Sequence, residues 1–300
     1  MYGAIIGDIV GSKFEFNNHR SKDFPFVSHG CSYTDDSIMT VAVARALLDA
    51  LEGRGSLRDR LVFQMQALGK AYPYPQGGYG GRFFGWLNSP DPQPYHSCGN
   101  GSAMRASACG LIAVTLEEAL ALAEASAAVT HDHPEGIKGA QALAAGVFLA
   151  RQGKDKAEIR AALRQFYPLD RTLDQIRPGY GFGALCQNTV PEAIEAFLES
   201  ESYEDAIRNA ISLGGDSDTI GAITGGIAWS YYRTPRGVDG TAAPAELPED
   251  LQALLDTWDI DRMLPPDFVG TIRRLDAARV QRARDYAAAG TCAPILPGVL

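Results

Sequence analysis

Apolar residues recur along this 300-residue chain at helical spacing almost everywhere, and runs that alternate apolar with polar residues are nearly absent. From Asp36 to Leu51, Ile38, Val41, Ala42, Ala46 and Leu48 fall largely on one side of a helix, and the segment from Leu57 to Leu68 repeats the pattern. Thr115-Leu116-Glu117-Glu118 has the spacing of a capping box ahead of an Ala/Leu-rich helix that ends near Val129. His133-Pro134-Glu135 reads as another helix start, with proline where the missing N–H costs nothing. Further helices are expected near 155–165, 191–199, 203–212, 218–232 and 270–288. Gly3, Gly7 and Gly11, and again Gly221 and Gly225, recur every fourth residue, so each set lies on one helical face and lets a second backbone approach closely. The expectation is an all-α fold: a single multi-helix domain over residues 1–300, with no dividing linker and no 20–50-residue repeat. The stretch from Thr234 to Asp267 is richer in proline and carries no chemical signal.

Charge narrows the function classes. Lys and Arg number 27 against 36 Asp and Glu, a net charge of −9, which argues against a binder that tracks nucleic-acid phosphates. Hydrophobic residues at 46% and charged residues at 21% suit a folded, water-soluble protein. Cys31, Cys98, Cys109, Cys186 and Cys292 are scattered, odd in number and form no CxxC pair, which fits a reducing compartment better than a disulfide framework or zinc ribbon. The opening segment has no basic n-region and places Asp8 inside its only apolar stretch, so neither a signal peptide nor a membrane anchor is expected. The expectation is a cytoplasmic monomer without membrane contact.

Two acidic segments carry the chemical signal. Thr34-Asp35-Asp36-Ser37 immediately precedes one amphipathic helix, and Asp216-Ser217-Asp218-Thr219 precedes the apolar run Ile220–Trp229. Either alone is accounted for by helix capping and by the positive end of the helix dipole. Together they offer four carboxylates and two threonine hydroxyls, more than two caps require. If they converge, their mutual repulsion calls for cations, and an all-oxygen donor set suits Mg²⁺ or Mn²⁺ rather than zinc. Four carboxylates balance two divalent ions. Glu15, between Phe14 and Phe16, is a third acidic candidate: partial burial would raise its pKa toward that of a useful acid or base. On composition alone, an exposed Glu15 paired with Lys13 or Arg20 is the simpler expectation.

Ser97-Cys98-Gly99-Asn100-Gly101-Ser102-Ala103-Met104-Arg105 reads as a turn feeding a helix, either an ordinary Gly-rich turn or a nest of backbone N–H groups for an anion. It lacks the ending of a Walker loop. In Thr130-His131-Asp132-His133 the two histidines are spaced i, i+2 and share no helix face, which argues against metal ligation by the pair.

These segments occur in an order that resembles the ADP-ribosylglycohydrolase family. The resemblance covers residues 1–232 and rests on Gly7-Asp8-Ile9-Val10-Gly11 with Glu15, Thr34-Asp35-Asp36, Gly78-Tyr79-Gly80, Gly99-Asn100-Gly101-Ser102-Ala103-Met104-Arg105, Thr130-His131 and Gly214-Gly215-Asp216-Ser217-Asp218-Thr219. It implies an all-α fold with a binuclear Mg²⁺ (or Mn²⁺) centre surrounded by Thr34, Asp35, Asp36, Asp216, Asp218 and Thr219. It implies Glu15 as the acidic residue near the scissile bond, reversing the simpler expectation above, with Asp36 and Asp218 joining it in catalysis. Ser97, Cys98, Gly99 and Asn100 would follow the diphosphate and ribose of ADP-ribose, with His131, Gly78 and Tyr79 nearby. Tyr180 or Phe182 is a candidate to stack on adenine by aromatic character alone. The implied activity is hydrolysis of the bond joining ADP-ribose to an acceptor, arginine on a protein first, with serine-linked ADP-ribose, O-acetyl-ADP-ribose or another conjugate as alternatives. A non-catalytic ADP-ribose binder is the alternative of another class. The chain departs from the family pattern at Ala106-Ser107-Ala108-Cys109, where relatives often carry a proline, and at Trp229-Ser230-Tyr231-Tyr232-Arg233, where they often carry Tyr-Tyr-Gly. Both departures bear on substrate fit.

Overall fold

The computed structural model describes residues 1–235 and 247–289. Among these residues the regular structure is fifteen α-helices and one 3-10 turn at Asn100–Ser102, with only two isolated β-bridges, so the chain is all-α. In chain order the helices are α1 (Tyr2–Ser12), α2 (Asp35–Leu51), α3 (Leu57–Ala71), α4 (Gly81–Asn88), α5 (Ser107–Ile112), α6 (Leu116–Ala128), α7 (Pro134–Arg151) and α8 (Lys156–Leu163). They continue as α9 (Leu173–Ile176), α10 (Cys186–Leu198), α11 (Tyr203–Leu213), α12 (Ser217–Arg233), α13 (Glu249–Trp258), α14 (Ile260–Met263) and α15 (Pro266–Ala289).

Glycine spacing decides the centre of this arrangement. Along α1, Gly3, Gly7 and Gly11 face Gly225, Gly221 and the Ser217–Asp218 backbone of α12. A Cβ at Gly7 would lie 2.0 Å from the Gly221 carbonyl oxygen, and one at Gly221 would lie 2.4 Å from the Gly7 oxygen. No side chain fits between the two backbones, and α1 and α12 are almost wholly buried. Around them α2, α7, α10 and α11 close a continuous apolar core that includes Ile5, Ile9, Val41, Leu143, Ile194, Ile207 and Ile227.

Local signals set several ends. Thr115 caps α6 by accepting the Glu118 N–H at 3.1 Å, and His133 caps α7 with proline in the first turn. The expected helix near 191–199 instead begins at Cys186. Pro191 sits inside it, where the absent N–H leaves the carbonyl of exposed Gln187 to water. Helix α4, not expected from the sequence, begins at Gly81, directly after Gly77, Gly78 and Gly80. The proline-containing stretch holds α13 and α14; its residues 236–246, and Cys292, lie outside the described residues. The other four cysteines are free.

The seam is expected to be intolerant of any side chain. Gly7→Ala and Gly221→Ala should each lower the free energy of unfolding by about 3 kcal/mol or more, the upper end of what overpacking costs. Gly85→Ala, in α4 with open space around it, should be neutral or slightly stabilising in the same chemical denaturation series.

Candidate active site

The α1–α12 seam ends at a cluster of carboxylates. A Cβ at Gly11 would touch the Asp218 Cα at 2.5 Å, so α1 delivers the chain that follows it directly onto the first turn of α12. Asp8 of α1, fully buried, reaches the other side and accepts hydrogen bonds from Thr34 N–H (3.0 Å), Thr34 Oγ1 (2.7 Å), Ser37 N–H (3.0 Å) and Ser37 Oγ. One carboxylate thus holds the whole first turn of α2. Asn18 pins the loop after α1: its Nδ2 donates to the carbonyls of Phe14, Glu15 and Gly215, and its Oδ1 accepts the Gly215 N–H at 2.8 Å. Gly214 and Gly215 both take positive φ here, a turn that favours glycine before Asp216.

These braces bring the two acidic segments together. Thr219 Oγ1 donates to Asp36 Oδ2 across the α2–α12 junction at 3.3 Å, and Asn100 Nδ2 donates to Asp216 Oδ2 at 2.7 Å. Carboxylate oxygens of Glu15, Asp216 and Asp218 lie within 4.8 Å of one another. Gly77, at positive φ, makes room for Glu15: a Cβ there would meet Glu15 Oε2 at 2.6 Å. The alternative pairing of Glu15 with surface cations is overturned. Lys13 Nζ donates to Ser28 Oγ, Arg20 donates to the carbonyls of Arg177 and Tyr180, and Glu15 is half-buried.

The cluster floors a cavity of about 420 Å³, within the roughly 300–1,000 Å³ range of small-molecule sites. Glu15, Asp35, Asp36, Asp216, Asp218 and Thr219 line it together with Gly78, Tyr79, Ser97, Gly99, Asn100, His131 and Phe182. Three expected residues are placed otherwise. Thr34 is buried with its hydroxyl held by Asp8 while it accepts the Asp36 N–H, and Cys98 offers its carbonyl to the Cys186 N–H. Tyr180 lies under Gly215, donates to the Asn188 carbonyl, and lines a neighbouring cavity of about 710 Å³ that shares only Phe182 with the first. The backbone nest is not available at two of its positions: the Gly99 N–H is taken by Ser97 Oγ and the Asn100 N–H by the Ala184 carbonyl. Positive charge comes instead from Arg82 and Arg105, which line the cavity and received no role from sequence. Asp8 and Asn18 were missed for the same reason: one looks like a polar break in an apolar stretch, the other like an ordinary loop residue.

Electrostatics follow from this crowding. Burial, reinforced by neighbouring carboxylates, pushes Asp35, Asp36 and Asp218 well above the usual carboxylate range. Burial and the charges of Asp216 and Asp8 raise Glu15 to about 7. Asp8 rises to about 6 through burial even though four donors oppose the shift. Glu15 Oε2, Asp36 Oδ1 and Asp218 Oδ1 are buried with no hydrogen-bond partner among the described residues, a costly state for a carboxylate. Unpartnered oxygens on close, mutually repelling acids are what divalent cations with hard-oxygen preference satisfy, so the donor set fits Mg²⁺ or Mn²⁺.

Fold and site define an all-α protein with an acid-floored ligand cavity where α1, α2 and α12 meet. The family model for ADP-ribosylglycohydrolase matches residues 1–274, and the chain belongs to that family, whose members hydrolyse the bond between ADP-ribose and an acceptor. Among curated relatives, the ADP-ribosylarginine hydrolase Tri1 of Pseudomonas putida (strain GB-1) is 28% identical over 278 residues, 80% of this chain and 70% of that protein. The ADP-ribosylhydrolase ARH3 of Homo sapiens is 26% identical over 310 residues, covering 77% of this chain and 83% of that one. A solved chain described as an ADP-ribosylglycohydrolase-related protein complex shares the fold, with a TM-score of 0.64 at 24% identity over 94% of this chain and 95% of that one. No helix among the described residues is long and apolar enough to cross a membrane.

The crowded acids make a stability prediction with a definite sign. Their folded pKa values exceed the unfolded ones, so the folded state holds more protons, and stability must fall as pH climbs from about 4 through Glu15's value of about 7. Denaturation of chelated protein between pH 4 and 8 should show that decline, and saturating Mg²⁺ or Mn²⁺ should flatten it. Parallel pH curves with and without the ion would exclude cation binding at the cluster.

Proposed function

We propose that this protein hydrolyses the glycosidic bond linking ADP-ribose to an acceptor, with ADP-ribosyl-arginine on protein as the preferred substrate. The observation that carries the reading is that Glu15, Asp36 and Asp218, each with a buried oxygen that has no hydrogen-bond partner among the described residues, line one cavity. The arginine preference is supported by similarity to a relative named for that linkage. Serine-linked ADP-ribose, O-acetyl-ADP-ribose and other conjugates share the same sugar and differ only in leaving group. The whole chain acts as one domain.

Hydrolysis of this bond builds positive charge at the ribose anomeric carbon and negative charge on the departing acceptor. Asp35, Asp36, Asp216, Asp218 and Thr219, which line the cavity, would hold two Mg²⁺ or Mn²⁺ ions, with Thr34 committed to Asp8 and the Asp36 N–H behind them. When bound, such ions fix ribose hydroxyls and acidify water. Asn100 keeps Asp216 oriented through its 2.7 Å hydrogen bond, and Thr219 does the same for Asp36. Glu15, with a pKa near neutrality, can hold a proton on its carboxyl group for the leaving group or take one from the attacking water. In balance, water supplies hydroxyl to the anomeric carbon and a proton to the acceptor. Arg82, Arg105 and His131 line the cavity, where a diphosphate needs local positive charge or donors within an acidic protein. Phe182, stacked on Phe16 with ring centroids 6.2 Å apart, is the aromatic at the rim available to adenine.

Mass spectrometry of products from arginine- and serine-linked substrates, with and without Mg²⁺, tests the reading. Free ADP-ribose from the arginine conjugate is expected, and its loss in chelator. AMP would point to pyrophosphate cleavage, and turnover confined to serine conjugates would overturn the arginine preference. Asp36→Ala and Asp218→Ala should abolish turnover and weaken Mg²⁺ binding. Glu15→Gln should lose about 10²- to 10⁴-fold in rate with ADP-ribose affinity little changed.

A further inference from the structure

His131 presents one ring nitrogen to the cavity and is itself held from behind. The residue is 5% exposed, and among the described residues its Nε2 has no hydrogen-bond partner. Ideal Cβ atoms placed at Gly99 and Gly101 would stand 3.4 and 3.3 Å from that nitrogen, so the two glycines keep the space in front of it clear. Tyr95 packs against the ring at a centroid distance of 5.7 Å, and Gly136 leaves room for its Cβ.

The opposite nitrogen, Nδ1, lies 2.6 Å from Thr130 Oγ1, and that hydroxyl is 2.7 Å from an Nη of Arg105. Arg105 is 1% exposed and is also tied to the Ser126 carbonyl at 2.9 Å. A guanidinium only donates, so Thr130 Oγ1 accepts from Arg105 and has one proton left to place. The two acceptors within reach are His131 Nδ1 at 2.6 Å and the Ala127 carbonyl at 3.5 Å. That carbonyl already takes the N–H groups of Thr130 (3.0 Å) and His131 (2.7 Å), which fill both lone pairs. The threonine proton therefore goes to Nδ1. Arg82 and Arg105 disfavour the imidazolium, and burial, the larger effect, does so too.

We infer that Arg105 and Thr130 are positioning residues that lock His131 in its neutral Nε2–H tautomer, so that it meets the bound ligand as a hydrogen-bond donor to an anionic or hydroxyl oxygen. Resting on the ADP-ribose reading, this assigns His131 to donation rather than to proton transfer. Arg105, which also lines the cavity, acts on this ring through two hydrogen bonds in series, and through them it chooses which nitrogen carries the proton.

Ring ¹⁵N–¹H correlation spectra of the ligand-free protein decide the relay without any substrate, with His131→Gln used to assign the signal. The expected result is the Nε2–H tautomer in the wild type and in Thr130→Ser, and a loss of that preference in Thr130→Val. ADP-ribose affinity should fall about tenfold in Thr130→Val, recover in Thr130→Ser, and survive largely in His131→Gln, whose amide can donate from nearly the same place. An Nδ1–H signal in the wild type, or an unchanged tautomer in Thr130→Val, overturns the relay. Failure of ADP-ribose to bind a wild type that shows the Nε2–H signal overturns the functional reading instead.

Discussion

Backbone-to-backbone contact between α1 and α12 governs where everything else can go. With a methyl group excluded at Gly3, Gly7, Gly11, Gly221 and Gly225, the two helices have one sliding and rotational position, and side chains at their ends inherit it. Gly11 lies against Asp218, and the chain leaving α1 turns at once into Phe14 and Glu15. The distance between Glu15 and the Asp216–Asp218 segment is therefore set by helix packing together with the short loop that Asn18 pins. Asp8, one turn back from the same end, fixes α2 with four hydrogen bonds, and Asn18 fixes the turn before Asp216. Three chain segments meet at the cavity floor because each is tied to α1.

That geometry carries an electrostatic cost. Carboxylates brought this close, with oxygens that no donor among the described residues reaches, oppose folding at neutral pH. A cluster built for structure alone would be better served by amides or apolar groups. Donors that the chain does supply are spent on geometry: Asn100 on Asp216, Thr219 on Asp36, and Thr34 with Ser37 on Asp8. The oxygens left over belong to Glu15, Asp36 and Asp218, all of which line the cavity.

Much of this was legible in the residues themselves. Glycine every fourth position announced the seam because helical period and missing Cβ atoms make a joint statement that needs no tertiary knowledge. Thr34-Asp35-Asp36 and Asp216-Ser217-Asp218-Thr219 stood out because they hold more oxygen ligands than caps use. Their convergence was not legible, since the Thr219–Asp36 contact joins positions 183 residues apart. Asp8 looked like an interruption in an apolar run, because nothing local shows that its partners lie a loop away in Thr34 and Ser37. Helix α4 was hidden by the glycines before it, and α10 by Pro191, whose usual meaning as a helix start placed the boundary five residues late. Arg105 gave no signal of its role: its partners Thr130 and Ser126 come from the far end of α6.

The cavity is made of two kinds of material. Its floor belongs to helices whose spacing is fixed, whereas its rim is loop: Phe16, just after α1, and Phe182, between Gly181 and Gly183, are both exposed and stack on each other. Substitutions at the rim reach the entering molecule without disturbing the carboxylates beneath. The lining of the entrance can thus vary while the acidic floor stays as it is, a partition that lets one scaffold diversify by changing its doorway.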